Sequence, residues 1–146
     1  MPDVPIPKLD TFNDATLGLM IDRFYLTVRA DAVLGPVFAA AIADDEWPAH
    51  QATMRRFWSS VMLASGAYSG NPVGVHRTVA GLERPMFAHW LALFEANAAA
   101  LFTAEAAARL VDKAHRIAGS LQIAVFHRLD APPDGLPLRA KAPQCA

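Results

Sequence analysis

The chain has 146 residues, of which 53% are hydrophobic and 18% are charged, and its 13 basic and 14 acidic side chains give a formal net charge of -1. The length suits a single domain, and the composition is too apolar for an intrinsically disordered protein. The balanced charge argues against the strongly basic surface that attracts nucleic acid or anionic lipid, so we expect neither a nucleic-acid nor a membrane partner.

Prolines and glycines divide the chain into helix-sized segments. Residues 1–10 contain three prolines and are expected to be irregular. The next segment has apolar residues at steps of four, three and four, which is the spacing of one helical face: Leu17, Ile21, Phe24 and Val28. We predict a helix from Thr11 to Leu34 that ends at Gly35-Pro36, followed by a short apolar turn, PVFAAAI.

The middle of the chain predicts two further helices. An acidic run at 44–46 precedes Pro48, which suits the positively polarised start of a helix that extends to about Ala64. Residues 65–71 contain two glycines and no apolar period, so we expect a loop. Asn71 can cap a short helix of about two turns that starts at Pro72 and ends near Gly81.

Two longer helical patterns complete the folded part. One apolar face begins at Pro85 and reaches Leu101, and Thr103 can cap a final helix that runs to Leu129. No alternating strand pattern and no repeat is present. The predicted fold class is therefore all-α.

Residues 131–146 are rich in proline and are expected to be a disordered tail, which leaves a domain at 11–130. The tail carries the only cysteine, Cys145, so a disulfide framework and a cysteine-rich zinc site are excluded. A lone cysteine suits a reducing compartment. We recognise neither a signal peptide nor a membrane-spanning run, and we expect the protein in the cytoplasm.

Two of the five histidines, His50 and His76, project from otherwise apolar faces beside aromatic residues. Either one alone is more often a hydrogen-bonded core residue than a metal ligand. Together they suit an iron porphyrin, which needs an apolar slot, an imidazole on one side of the iron and polar donors on the other. Tyr25, His50 and Trp90 are candidates for those donors. The other histidines are interpreted as surface or packed residues: His89, His115 and His127.

Five segments of the chain, taken in order, resemble one known family. They are LGPVF at 34–38, EWPAH ending at His50, FW at 57–58, GAYSGNPVGVH at 66–76 and WLALF at 90–94. Each segment is a weak signal alone. Their order within residues 11–130 resembles that of the truncated haemoglobins, most closely group III, the P-type proteins.

The resemblance implies a two-over-two helical sandwich around non-covalent haem b. It makes His76 the proximal iron ligand; its Nδ1–H would bond the carbonyl of Pro72, one helical turn back, and leave Nε2 for the iron. Tyr25, His50 and Trp90 match the polar distal positions of the family. Their O–H and N–H groups can address a negatively polarised O2.

Apolar side chains are expected to form the wall of the haem slot. Phe38 matches the family's phenylalanine that stacks on the porphyrin, with plain core packing as the alternative. Helical spacing adds four wall residues and two flanking ones: Met54, Phe57, Trp58 and Phe87, then Val75 and Leu82. Three arginines are candidates for binding the haem propionates, with ordinary surface charge as the alternative reading: Arg55, Arg77 and Arg84.

The resemblance implies a haem protein that binds O2, NO or a related small ligand. A pocket with several hydrogen-bond donors favours redox or detoxification chemistry, either NO dioxygenation or peroxide reduction, over O2 transport. Both reactions need electrons from a donor that the sequence does not identify. Whether the protein is an NO dioxygenase, a peroxidase-like enzyme or neither is open at this point.

Two alternatives come from other classes of protein. One is a cofactor-free helical interaction module in which Tyr25, His50 and Trp90 are core or interface groups. The other is a carboxylate and histidine di-iron site, which would need paired ExxH motifs that the chain lacks. The chain also departs from the family pattern at residues 77–87, RTVAGLERPMF, which carry few prolines and aromatics.

Overall fold

The structure, a computed structural model, describes residues 7–129, with side chains described through residue 126. These residues form six α-helices and one short 3-10 turn at Asp44–Glu46. The helices are α1 (Asp14–Ala30), α2 (Leu34–Ala41), α3 (Trp47–Leu63), α4 (Pro72–Arg77), α5 (Pro85–Leu101) and α6 (Ala104–Leu129). Residues 7–129 contain no β-strand, only an isolated parallel bridge between Leu9 and Phe102, so the predicted all-α class is confirmed.

The helices pack as two pairs. Helix α1 packs against α3, and α5 packs against α6. The two pairs meet where α1 contacts α5, while α2 lies against α1 and α4 lies against α6. The short helix α4 and the long helix α3 therefore lie on different pairs.

The main core is built on α1. Its predicted apolar face is completely buried, since Leu17, Ile21, Phe24 and Val28 are each 1% exposed or less. The face repeats at helical spacing, so a single side of α1 can contact several helices at once. Burial of these side chains is the main favourable term in the packing of the two pairs.

The first helix ends earlier than the sequence predicted, and the segment expected to be a turn is helix α2. Helix α1 stops at Ala30, because the Asp31 carboxylate accepts hydrogen bonds from the Val33 amide at 3.0 Å and the Leu34 amide at 2.8 Å and so caps α2. Gly35 and Pro36 then fall in the first turn of α2. Proline needs no donor there, so this pair begins a helix and does not end one.

The remaining helix boundaries follow the predicted ones closely, with one exception. Helix α4 is shorter than expected: it starts at Pro72 with the predicted Asn71 cap, whose Oδ1 accepts from the Gly74 amide at 3.1 Å, but it ends at Arg77. The Thr78 amide and hydroxyl both bond to the Val75 carbonyl, which closes the last turn.

The residues outside the described part include Met1 to Ile6 and the predicted tail at 131–146 with Cys145. The domain boundaries therefore stay a prediction. In the part of the chain that the structure describes, no single helix is long and apolar enough to cross a membrane; only α1 and α2 taken together pass that test, and they are bent by 106°.

The tight corner between α1 and α2 gives a stability prediction. A methyl group at Gly35 would lie 2.8 Å from the Arg29 carbonyl oxygen, whereas one at Gly119 in α6 would have no atom within 4 Å. We expect Gly35→Ala to lower the free energy of unfolding by about 1–3 kcal/mol. Gly119→Ala should raise it by about 1 kcal/mol, because alanine has the higher helix propensity. Equilibrium denaturation of both variants tests this, and a Gly35→Ala protein as stable as wild type would contradict the close contact.

Candidate functional site

The geometry of His76 on α4 prepares one ring nitrogen for a ligand. Its Nδ1 lies 2.6 Å from the carbonyl oxygen of Pro72, the first residue of the helix. Proline has no amide hydrogen but keeps its carbonyl, so it can accept this bond. With Nδ1–H donating to Pro72, Nε2 carries the lone pair that binds a metal. The ring of Phe87 lies beside the imidazole, with centroids 6.3 Å apart.

On α3, His50 has a buried polar atom that lacks a partner. Within the described part of the chain, its Nε2 is the one buried side-chain nitrogen or oxygen without a hydrogen bond. Burial lowers the pKa of His50, and repulsion from His76 in its protonated form would lower it further, so the neutral imidazole of His50 is favoured. An unpaired buried nitrogen costs stability, and proteins keep such groups mainly where a ligand completes them.

Tyr25 on α1 lies against His50, with ring centroids 5.1 Å apart and the rings nearly perpendicular. The side chain is 4% exposed, and burial raises the pKa of its hydroxyl, so the O–H stays protonated and available as a donor. Trp90 on α5 is connected to Tyr25 through Phe24, whose ring contacts both. Among residues 7–129, neither the Tyr25 hydroxyl nor the Trp90 indole nitrogen forms a hydrogen bond.

Trp47 also contacts residues of the candidate site, although its place in the sequence predicted only the start of a helix. It is 3% exposed, contacts the His50 ring at 5.3 Å and stacks on Phe38 at 6.2 Å between centroids. The Arg29 guanidinium lies over the Trp47 ring, 4.6 Å from the ring centroid. Its position three residues before His50 put it on the same helical face, and this spacing was the available signal.

The predicted wall residues do not all lie in one place. Phe38, Met54 and Phe57 are half-buried against the main core. Trp58 is 2% exposed and stacks on Phe94 in α5, so it is also a packing residue between helices. A second, smaller hydrophobic cluster holds two more of the predicted residues, Leu82 and Phe87. Val75 is 59% exposed, and the structure does not bring it into either cluster.

These residues fit an iron porphyrin. His76 has its Nε2 free to bind a metal, and His50 carries a buried Nε2 without a partner among the described residues, next to the Tyr25 ring. Half-buried aromatic and aliphatic side chains, chiefly those of α3, supply apolar contact. By contrast, no group of three or more His, Cys, Asp or Glu side chains in the described residues could hold a metal ion, which gives no support to the di-iron alternative.

Comparison with known proteins decides the family. Group 3 truncated haemoglobin of Campylobacter jejuni is 32% identical over 117 residues, which is 79% of this chain and 92% of that protein. The crystal structure of the group III truncated haemoglobin from Campylobacter jejuni matches with a TM-score of 0.78 and 31% identity over 84% of this chain and 98% of the other. The chain belongs to the group III truncated haemoglobins. No family model matches it.

This membership confirms the resemblance inferred from the five sequence segments and the truncated globin fold. It makes the protein a globin-type haem protein that binds a small ligand. The roles of individual residues in this globin stay predictions, since they rest on matching positions and on the geometry above.

The three arginines considered for the haem propionates each have another contact in this globin. Arg55 binds both carboxylate oxygens of Asp22, at 2.8 and 2.6 Å. Arg77 donates to the Ala124 carbonyl at 3.0 Å, and Arg84 lies over the Phe126 ring at 4.8 Å from its centroid. The structure thus favours packing and surface pairing for these side chains.

The other histidines differ from one another. Nε2 of His89 lies 2.7 Å from Asp31, and Nε2 of His115 lies 2.6 Å from Glu95. His115 is about half exposed, as predicted for a surface residue, whereas His89 connects two helices. The side chain of His127 lies outside those described.

The unpaired nitrogen of His50 gives a prediction about the haem-free globin. We expect His50→Leu to raise its free energy of unfolding by about 1 kcal/mol, because the substitution removes a buried polar atom that has no partner. His115→Leu is the matched control: its imidazole is exposed, so the change should stay within about 0.5 kcal/mol. Chemical denaturation measures both. A His50→Leu protein that is less stable than wild type would mean that Nε2 is satisfied inside the protein.

Proposed function

We propose that this globin binds haem b non-covalently, with His76 as the axial ligand and with Tyr25, His50 and Trp90 facing a small ligand such as O2 or NO. The proposed role is redox or detoxification chemistry, NO dioxygenation or peroxide reduction, more than O2 transport. Bound haem would supply an iron centre that binds the small ligand and exchanges electrons with it.

The hydrogen bond between His76 and Pro72 supports the axial role. It fixes the plane of the imidazole and makes Nε2 the free nitrogen. A donated Nδ1–H also increases the electron density on Nε2, which strengthens an axial bond. The carbonyl comes from the same short helix, so ring and acceptor move together.

The observation that carries the proposal is the buried Nε2 of His50, which has no partner in the described residues and lies beside the Tyr25 ring. In the proposal, Tyr25, His50 and Trp90 take the side of the haem away from His76, as their matching family positions suggest. Protonated Tyr25 can donate through its O–H, the Trp90 indole N–H can only donate, and neutral His50 can donate or accept. Several donors hold a polarised ligand tightly. Slow release is unsuited to delivery of O2, whereas a retained ligand has time to react with a second substrate.

NO dioxygenation and peroxide reduction both consume electrons, so the proposal includes an electron donor whose identity is open. The two reactions differ in what the distal groups do. Nitrate formation requires the pocket to hold O2 until NO arrives. Peroxide cleavage requires proton transfer, for which the neutral imidazole of His50 is the suitable group.

Axial ligation by His76 is tested in one spectrum. The absorption spectrum of the wild-type protein with added haem should show a Soret band and the pattern of visible bands typical of iron ligated by histidine. His76→Ala should lose that pattern, and added imidazole should restore it, because the free ring can fill the space that the side chain left. His115→Ala is the matched control and should keep the wild-type spectrum. An unchanged spectrum for His76→Ala would refute the assignment.

The distal assignment is tested by the rate at which O2 dissociates. Tyr25→Phe and Trp90→Phe each remove one donor while keeping an aromatic ring, so each should speed release by about fivefold to tenfold, the equivalent of about 1 kcal/mol. Phe12→Leu removes an aromatic ring that contacts Phe102 and neither of the two donors, so it serves as the comparison. If both donor variants release O2 at the wild-type rate, the proposed retention of ligand is wrong. The rates at which the protein consumes NO and peroxide in the presence of a reductant then distinguish NO dioxygenation from peroxide reduction.

A further inference from the structure

The Asp31 carboxylate joins three helices at one point. One of its oxygens, Oδ2, accepts from the Val33 and Leu34 amides at the start of α2 and also lies 2.7 Å from Nε2 of His89 on α5. Asp31 itself follows the last residue of α1, and its amide bonds back to the Val28 carbonyl. A single oxygen thus ties the end of α1, the start of α2 and the first half of α5.

This contact is built more firmly than a surface ion pair. The Asp31 side chain is 16% exposed and that of His89 is 37% exposed, so the carboxylate is the better buried partner. The hydrogen bond from the Leu34 amide is the main cause that lowers the pKa of the Asp31 carboxyl, with His89 adding to the effect. The carboxylate is therefore kept charged and held in place by the backbone of α2. The His115–Glu95 pair has a similar distance, but its side chains are about half exposed and no amide fixes the carboxylate.

A second polar contact holds the other end of the same helix pair. The Asn97 amide on α5 donates to the Met20 carbonyl at 3.1 Å, and its oxygen accepts from Arg23 at 3.2 Å. Asn97 is 5% exposed, so this contact is part of the interface between α1 and α5. Polar pairs at both ends of an apolar interface fix how far one helix is shifted along the other. Apolar contacts alone specify that shift only weakly.

Trp90 lies between these two contacts and directly follows His89. Its ring meets Phe24 edge-on at 5.3 Å and stacks on Phe94 at 5.1 Å. The position of its indole nitrogen therefore depends on how α5 is placed along and around α1. Asn97 sets that placement at one end, and the contact of His89 with Asp31 sets it at the end next to Trp90.

We propose that Asp31 and His89 are positioning residues for the distal site, which hold the Trp90 indole N–H in register with Tyr25. The proposal rests on the distal role of Trp90 given above. Neither residue touches the ligand. Their effect passes through the placement of α5 on α1, so it requires the bond between the two side chains and not their individual charges.

The test uses the haem-loaded, ferrous protein with four variants. His89→Leu removes the bond, and His89→Gln restores a donor near the Nε2 position. Asp31→Ser keeps a residue able to cap α2 but is too short to reach His89, so it provides a second way to break the bond if His89→Leu does not fold. His115→Leu is the matched control for loss of a histidine paired with a carboxylate.

Two measurements report on the position of Trp90. The first is the indole N–H resonance, assigned by its loss in Trp90→Phe and compared with the resonances of the other two tryptophans. The second is the O2 dissociation rate. We expect His89→Leu and Asp31→Ser to shift the Trp90 resonance alike and to speed release by about threefold to tenfold. His89→Gln should return both values toward wild type, and His115→Leu should change neither.

A further comparison separates positioning from a general loss of stability. In a Trp90→Phe background, His89→Leu should add no further increase in the O2 dissociation rate, because the donor that it places is absent. An additive effect would overturn the proposal, as would an unchanged Trp90 resonance in both His89→Leu and Asp31→Ser. If the protein took up no haem, the proposed function would fail, and the shift of the Trp90 resonance would still decide whether the pair positions α5.

Discussion

Burial of one face of α1 is the interaction on which the site depends. This face contacts α2, α3 and α5, so three elements that carry residues of the proposed distal pocket are placed against a single helix. Phe24, which is 1% exposed, contacts both Tyr25 on the same helix and Trp90 on α5. A substitution at Phe24 would therefore remove core packing and, at the same time, the ring that contacts both Tyr25 and Trp90. In a domain of this length few other side chains could take over that role.

The distribution of polar groups within the core separates structural from functional residues. Asn97 is buried, and its amide is satisfied by a backbone carbonyl and by Arg23, as expected for a group that specifies helix packing. His50 is the contrary case, because its buried Nε2 has no partner among residues 7–129. Natural sequences follow the rules of polar satisfaction closely, so departures concentrate at functional sites. The contrast between these two residues points to the pocket independently of any relative.

Local patterns predicted most of the helices, and non-local contacts explain what was missed. The apolar spacing and the capping residues predicted helices α3, α5 and α6. The bond between His76 and Pro72 was also predictable, because it spans a single turn of one helix. The prediction of a turn in place of helix α2 was wrong. A Gly-Pro pair can follow the last turn of a helix or lie in the first turn of the next one, and Gly35-Pro36 lies in the first turn of α2. The deciding residue was Asp31, whose capping role depends on how the chain turns after α1.

The contacts of charged side chains were the least predictable part of the site. Arg55 was a candidate for a propionate, but it binds Asp22, which lies 33 residues earlier and on the facing helix. His89 was interpreted as a solvent-facing or packed side chain, although it bonds a carboxylate 58 residues away. Spacing along one helix indicates which side a residue occupies. It carries no information on which partner from another helix lies there, so only the fold could assign these pairs.

The proposed proximal side depends on such long-range contacts. Helix α4 has six residues, too few for an isolated helix to be stable in water. Its conformation must come from the Asn71 cap at its start, from the bond between Arg77 and the Ala124 carbonyl of α6, and from packing against α6. The orientation of His76 thus depends on the α5 and α6 pair, while Tyr25 and His50 lie on α1 and α3, and Trp90 lies on α5 where the two pairs meet. The distance between the two sides of the pocket therefore depends on how the two helix pairs meet, which is the contact between α1 and α5.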